Sequence, residues 1–130
     1  MSLNIGSPFL YAVEANDRFS ARYLKKLGAN VKQLTKNKRS ALHIAAKNED
    51  LSMVQFLVEE CDLDINAQDK KGFTPAHLAA KHNEEIRILE YLVDEKGADI
   101  TIRSRKGKVP GEGRKKHEFQ WFFNEETPRF

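Results

Sequence analysis

The chain has 130 residues, 40% of them hydrophobic and 32% charged, with 22 Lys and Arg against 19 Asp and Glu for a formal net charge of +3. That length allows one domain with a modest core. No apolar run approaches the roughly 20 residues that a membrane span needs. The start, Met1-Ser2-Leu3-Asn4, has no basic stretch followed by an apolar one and so reads as no secretory leader. Cys61 is the only cysteine, which excludes an internal disulfide and suits a reducing compartment.

Along the chain one short phrase recurs. It reads Ser7-Pro8-Phe9-Leu10, Ser40-Ala41-Leu42-His43 and Thr74-Pro75-Ala76-His77, with a worn copy from Val109-Pro110, the starts being 33, 34 and 35 residues apart. A fixed period of this length means stacked units that share one continuous core. In the first unit a short helix is expected over Pro8 to Glu14 and a second over Phe19 to Lys26, closed by Gly28-Ala29-Asn30-Val31. In the second, Ser40 caps the helix Ala41 to Ala46, and Leu51, Met53, Val54, Leu57 and Val58 line the next at helical spacing.

The third unit is the clearest. Asp69 to Phe73 is turn chemistry, with Gly72 free to take positive φ. Thr74 caps and Pro75 takes the first helical position, where a missing donor costs nothing. Ala76, Ala79 and Ala80 are small, strong helix formers that permit close packing. Ile86, Ile88, Leu89, Leu92 and Val93 form the second helix, which ends at Gly97 as the C′ residue. Gly107-Lys108-Val109-Pro110 continues the pattern, and Gly111-Glu112-Gly113 then disfavours a helix. His117 to Phe123 is expected to cover the last edge as a short capping segment, with a docking role for Phe119, Trp121, Phe122 and Phe123 as the alternative.

These residues together resemble the ankyrin repeat: the Thr-Pro-Ala-His phrase, the paired alanines, the Gly-Ala-Asp turn and the period. The likeness covers residues of about 5 to 110. It departs from the family where Leu10 stands in place of His, where Lys38 stands in place of Gly, and where the third unit carries one extra residue within Lys81 to Glu85. The resemblance implies an all-α ankyrin-repeat solenoid with β-hairpin-like fingers, a single domain over 1–130. Its repeats fall at about 5–34, 35–68 and 69–102, with a C-terminal cap at about 103–124.

In such a fold, partners meet the finger tips and the inner-helix face. Pattern matching assigns to that face Lys36, Asn37, Arg39, Lys47, Asn48, Lys70, Lys71, Phe73, Lys81, His82, Arg105, Lys106 and Lys108. None is acidic. The outer helices and their ends carry Glu49, Asp50, Glu59, Glu60, Glu84, Glu85, Glu90, Asp94 and Glu95. A nearly neutral chain is thus expected to be basic on its concave side and acidic on its convex side, a field that steers acidic partners to the former. Lysines in solvated turns that discourage edge pairing are the plainer explanation. Phe73 is expected as a contact anchor at a finger tip or as packing against the adjacent finger.

Catalytic and metal chemistry find no support. His43 and His77 sit one repeat apart, which repetition explains without a site; the resemblance gives each ring a structural bond to the Ser or Thr three residues earlier and to the neighbouring turn. Cys61 ends an outer helix, where an unactivated thiol is expected. Asp62, Asp64 and Asp69 lack calcium-loop spacing, and the glycines after Gly107 lack the Lys-Ser/Thr of a phosphate loop. The expected function is therefore a monomeric, non-enzymatic protein-binding module without cofactor or metal, taking an acidic partner on its basic concave face. The alternatives are a polyanion binder, for nucleic acid or an anionic lipid headgroup, and a structural or oligomerising array. Nucleic acid is disfavoured because the basic face lacks interleaved aromatics. The expected setting is the cytoplasm, or the nucleus on the strength of the basic clusters Arg103 to Lys108 and Arg114 to Lys116.

Overall fold

The structure, a computed structural model, describes residues 7–82 and 86–112, without the His82 side chain. Among the described residues six helices follow in order: α1 (Pro8–Glu14), α2 (Arg18–Lys26), α3 (Ala41–Lys47), α4 (Leu51–Glu59), α5 (Pro75–His82) and α6 (Arg87–Glu90). A π-helical turn, Tyr91–Glu95, continues α6. No strand occurs among the described residues. Helices pair as α1 with α2, α3 with α4 and α5 with α6. α1, α3 and α5 stack as an inner layer, and α4 meets α6 in the outer one. No helix among the described residues is long and apolar enough to cross a membrane.

Helices this short do not persist alone, so caps and packing must hold them. Each inner helix begins at a hydroxyl cap: Ser7 Oγ accepts from Leu10 N at 3.2 Å, Ser40 Oγ from His43 N at 3.3 Å, and Thr74 Oγ1 from His77 N at 3.2 Å. The two outer helices α2 and α4 begin at aspartates instead, with Asp17 bound to Ser20 N at 3.0 Å and Asp50 to Met53 N at 3.2 Å. These side chains satisfy backbone donors that a helix start leaves open.

Ala41, Ala45, Ala46, Ala76, Ala79 and Ala80 are buried, and their small size lets inner helices approach closely. Phe9, Leu10 and Val13 of α1 continue that layer, while Met53, Val54, Phe56, Leu57, Leu89 and Leu92 fill the space between layers. Removing one such side chain costs about 2–5 kcal/mol through lost burial and the cavity left behind.

Two local features differ from the simple repeat. A regular second helix is expected through Val93, but the backbone turns π-helical at Tyr91, with Lys96 N bonded to Tyr91 O at 3.1 Å. Leu89 and Leu92 stay buried all the same. Gly97 is the C′ residue as expected, at φ +71°. Beyond the third finger, Glu112 N bonds Val109 O and Glu112 Oε1 accepts from Val109 N, both at 3.1 Å. The expected capping segment His117 to Phe123 and the cluster Arg114 to Lys116 lie outside the described residues.

Candidate functional site

Three tight turns project from the stack at 35–39, 69–73 and 104–108. All are built alike. The first residue donates to the fifth: Thr35 N to Arg39 O at 2.9 Å, Asp69 N to Phe73 O at 2.9 Å, Ser104 N to Lys108 O at 2.8 Å. The fourth returns to the first: Lys38 N to Thr35 O at 2.9 Å, Gly72 N to Asp69 O at 2.9 Å, Gly107 N to Ser104 O at 2.8 Å. That fourth residue has positive φ, +61° at Lys38, +82° at Gly72 and +80° at Gly107. Only Lys38 adopts this conformation without the freedom of glycine.

The first residue also supplies an oxygen that gathers the turn's own amides. Thr35 Oγ1 accepts from Asn37 N at 3.2 Å and Arg39 N at 3.1 Å. Asp69 Oδ1 accepts from Lys71 N and Phe73 N, both at 2.9 Å. Ser104 Oγ accepts from Lys108 N at 3.3 Å. Successive turns then join edge to edge: Lys70 N donates to Asn37 O and Arg105 N to Lys71 O, each at 2.9 Å.

The histidines lock this assembly to the inner helices. His43 Nε2 lies 2.8 Å from Phe73 O, and His77 Nε2 lies 2.8 Å from Lys108 O. A carbonyl only accepts, so each Nε2 carries the proton. Nδ1 in turn accepts backbone donors, Ser40 N at 3.1 Å and Thr74 N at 3.0 Å. Burial holds both rings below the ordinary histidine range, against the smaller opposing pull of the carbonyls. These rings are neutral structural clamps. Leu10, at the equivalent place in α1, is buried but has no ring nitrogen to clamp the first turn.

Turns and inner helices enclose two grooves. The first, about 520 Å³, is lined by Glu14, Thr35, Lys36, Asn37, Arg39, Ile44 and Lys47. The second, about 760 Å³, brings together Lys71, Phe73, Lys81, Lys106, Lys108, Val109 and Glu112, above His77, Leu78, Ala80 and Ser104. Lys36, Lys47, Lys70, Lys71, Lys81, Arg105, Lys106 and Lys108 are exposed. Lys70 and Arg105 line neither groove. His82 ends α5.

Three assigned residues already have partners within the chain. Arg39 is no free cation: its Nε lies 3.1 Å from Asp69 Oδ2, and the Asp69 side chain is only 2% exposed. The pair spans two turns and belongs to the scaffold. Phe73 is half-buried, with its ring 5.6 Å from that of His77 and Lys81 Nζ 5.7 Å from its centroid. It packs on α5 and lines the second groove. Asn48 spends its amide on Glu14 O at 3.2 Å. Glu14 and Glu112 also place one carboxylate in each groove, which the pattern of finger positions alone did not include.

The outer layer is less uniformly acidic than its sequence suggests. Asp50 is committed to its cap, and Glu60 pairs with Arg22 at 2.5 Å. Glu59 accepts from the Tyr91 hydroxyl at 2.5 Å, with Lys96 3.9 Å away. α2 carries Arg18, Arg22, Lys25 and Lys26 and no acid. Glu84 and Glu85 lie outside the described residues. Cys61 is buried, and burial pushes its thiol up to about 11, so it is chemically quiet. No group of three His, Cys, Asp or Glu side chains among the described residues is placed to hold a metal.

Comparison with known proteins agrees with this architecture. A family model described as ankyrin repeats (three copies) matches residues 9–104. Similar proteins include Protein lin-12 of Caenorhabditis elegans, 36% identical over 82 residues, covering 62% of this chain and 6% of the relative. Delta-latroinsectotoxin-Lt1a of Latrodectus tredecimguttatus is 37% identical over 62 residues, 47% of this chain and 5% of the toxin. Inversin of Gallus gallus is 32% identical over 76 residues, 58% of this chain and 7% of inversin. The chain thus spans a small fraction of each relative's length.

Proposed function

Because the chain belongs to the ankyrin-repeat family, we propose that it serves as a non-enzymatic binding module whose fingers and inner helices take an acidic segment of another protein. Ankyrin repeats generally mediate protein–protein interaction. The observation that carries the finer reading is the lysine ring around the second groove. Lys71, Lys81, Lys106 and Lys108 surround an apolar floor of Phe73 and Val109. None of the four has an ion-pair partner among the described residues. Lys36 and Lys47 offer the same chemistry at the first groove.

The scaffold supports recognition without much rearrangement. His43 and His77 fix the backbones of two fingers, and the fingers fix one another. A charged ligand then meets positioned ammonium groups at little ordering cost to the backbone. Charge complementarity of this kind contributes chiefly to association rate and partner choice.

The test is capture of a binding protein by the chain and by a variant with Lys36, Lys71, Lys81, Lys106 and Lys108 changed to Glu. Arg39 is spared because Asp69 holds it. A partner retained by the original and lost by the variant supports the assignment; equal retention moves the site elsewhere. A polyanion would instead lose affinity steeply with salt. Its nucleic-acid form is disfavoured because Phe73 lies half-buried beneath Lys81 rather than open for stacking.

A further inference from the structure

The described residues end at the rim of the second groove. Val109 and Glu112 both line it. They are tied to each other in a tight turn, Glu112 N to Val109 O and Val109 N to Glu112 Oε1, each at 3.1 Å. Lys71, Lys81, Lys106 and Lys108 line the same groove, beside Phe73 and over the buried Leu78 and Ala80. Glu112 is the only acid among its described lining residues, and its carboxylate is engaged by the Val109 amide. An occupant that suits the groove therefore brings two chemistries together: carboxylates for the lysines and apolar side chains for the floor.

The sequence supplies both a few residues further on. Residues 118–126, outside the described residues, read Glu-Phe-Gln-Trp-Phe-Phe-Asn-Glu-Glu. Phe119, Trp121, Phe122 and Phe123 are bracketed by Glu118 on one side and by Glu125 and Glu126 on the other. The intervening Arg114, Lys115 and Lys116 are basic, so Glu118 is the first acid after Glu112. The six residues from Gly113 to Glu118 reach up to about 20 Å, ample for a groove that Glu112 itself lines. A tether this short holds the segment at an effective concentration on the order of millimolar. A fit tighter than that then keeps most grooves filled.

We propose that residues 118–126 dock in the second groove of the same molecule, aromatic side chains against Phe73 and Val109 and carboxylates on the surrounding lysines, so that an acidic partner binds by displacing them. The proposal rests on the reading of this groove as an acidic-segment site and adds its regulation. A groove that carries its own competitor discriminates by threshold: the apparent affinity of any partner is reduced by the fraction of grooves left open.

Trp121 is the only tryptophan of the chain, so intrinsic fluorescence reports on this segment alone. In the full chain, Lys71→Glu, Lys81→Glu, Lys106→Glu and Lys108→Glu together should shift its emission to the red and raise its quenching by acrylamide. Glu118→Lys, Glu125→Lys and Glu126→Lys should do the same. Combining the two sets should restore the original emission, because the charges are again complementary. The four lysines are exposed, so circular dichroism should find the groove variant folded. Emission indifferent to the groove charges, or a red shift that the combination does not reverse, overturns the proposal. So does emission that changes with chain concentration, which would assign the segment to the groove of a second copy.

A labelled Glu-Glu-Phe-Glu-Glu peptide gives the second readout. Phe119→Ser, Phe122→Ser and Phe123→Ser leave the net charge unchanged and should tighten its binding about tenfold, the gain from opening a groove filled in nine molecules of ten. Measurable but equal affinity for the two proteins overturns the competition. Trp121 emission that follows the groove charges while the peptide binds neither protein supports the docking and counts against the acidic-partner reading.

Discussion

Gly72 and Gly107 hold the same place in successive fingers at nearly the same φ, yet their surroundings differ. A Cβ on Gly72 would lie 2.8 Å from Arg105 N and 3.2 Å from Ser104 C, whereas one on Gly107 would meet nothing within 4 Å. Gly107→Ala should therefore cost about 1 kcal/mol, the conformational penalty alone. Gly72→Ala should cost about 2–4 kcal/mol, because the next finger's backbone must also shift. Urea denaturation of both variants checks the difference, and equal losses would mean that the fingers are not packed edge to edge. The histidine clamps give a second prediction at this scale. Both have pKa values lowered from 6.5, chiefly by burial. The unfolded chain then binds more protons than the folded one as pH falls below about 6.5, so stability is complete above that value and declines beneath it, by at most about 1.4 kcal/mol per histidine per pH unit. His43→Leu with His77→Leu, copying Leu10, should lower stability at neutral pH and flatten its dependence between about pH 7.5 and 5.5. A slope that survives both changes would contradict the neutral-clamp assignment.

At the scale of elements, the inner helices carry the stack and the fingers carry its charge. Ala79 is 2% exposed in α5, while Lys70 and Lys71 are exposed. Ala79→Gln should cost about 2–4 kcal/mol by overpacking and by burying an amide. Replacing Lys70 and Lys71 together by Ser should change stability by less than about 0.5 kcal/mol. Thermal denaturation ranks the two, and a more damaging lysine pair would invert the layer assignment. The sequence made most of these elements legible, for identifiable reasons. Ser7, Ser40 and Thr74 are local caps, visible without a partner, and α1 begins at Pro8 and ends at Glu14 as expected. The bonds of His43 and His77 to the next turn follow from the family resemblance and from repetition. The Arg39–Asp69 pair was hidden because it joins residues 30 apart whose meeting depends on the stacking offset. The burial of Phe73 was hidden likewise, since a turn residue's exposure is decided by what the following helix places over it.

Over the whole molecule, a formal charge of only +3 conceals an uneven distribution. Lysines line both grooves, Asp50, Glu59 and Glu60 lie along α4 and at its ends, and α2 carries four cations and no acid. The second groove sets Lys71, Lys81, Lys106 and Lys108 beside Phe73 and Val109. The most direct measurement of the concave-face claim is a heteronuclear NMR titration of the full chain with the peptide Glu-Glu-Phe-Glu-Glu and its lysine counterpart Lys-Lys-Phe-Lys-Lys. The acidic peptide should shift the amides of Asn37, Lys71, Phe73, Lys81, Lys106 and Lys108, and the lysine peptide should not. Shifts confined to α2 and α4, no shifts at all, or equal responses to both peptides would contradict a concave face that selects acidic segments.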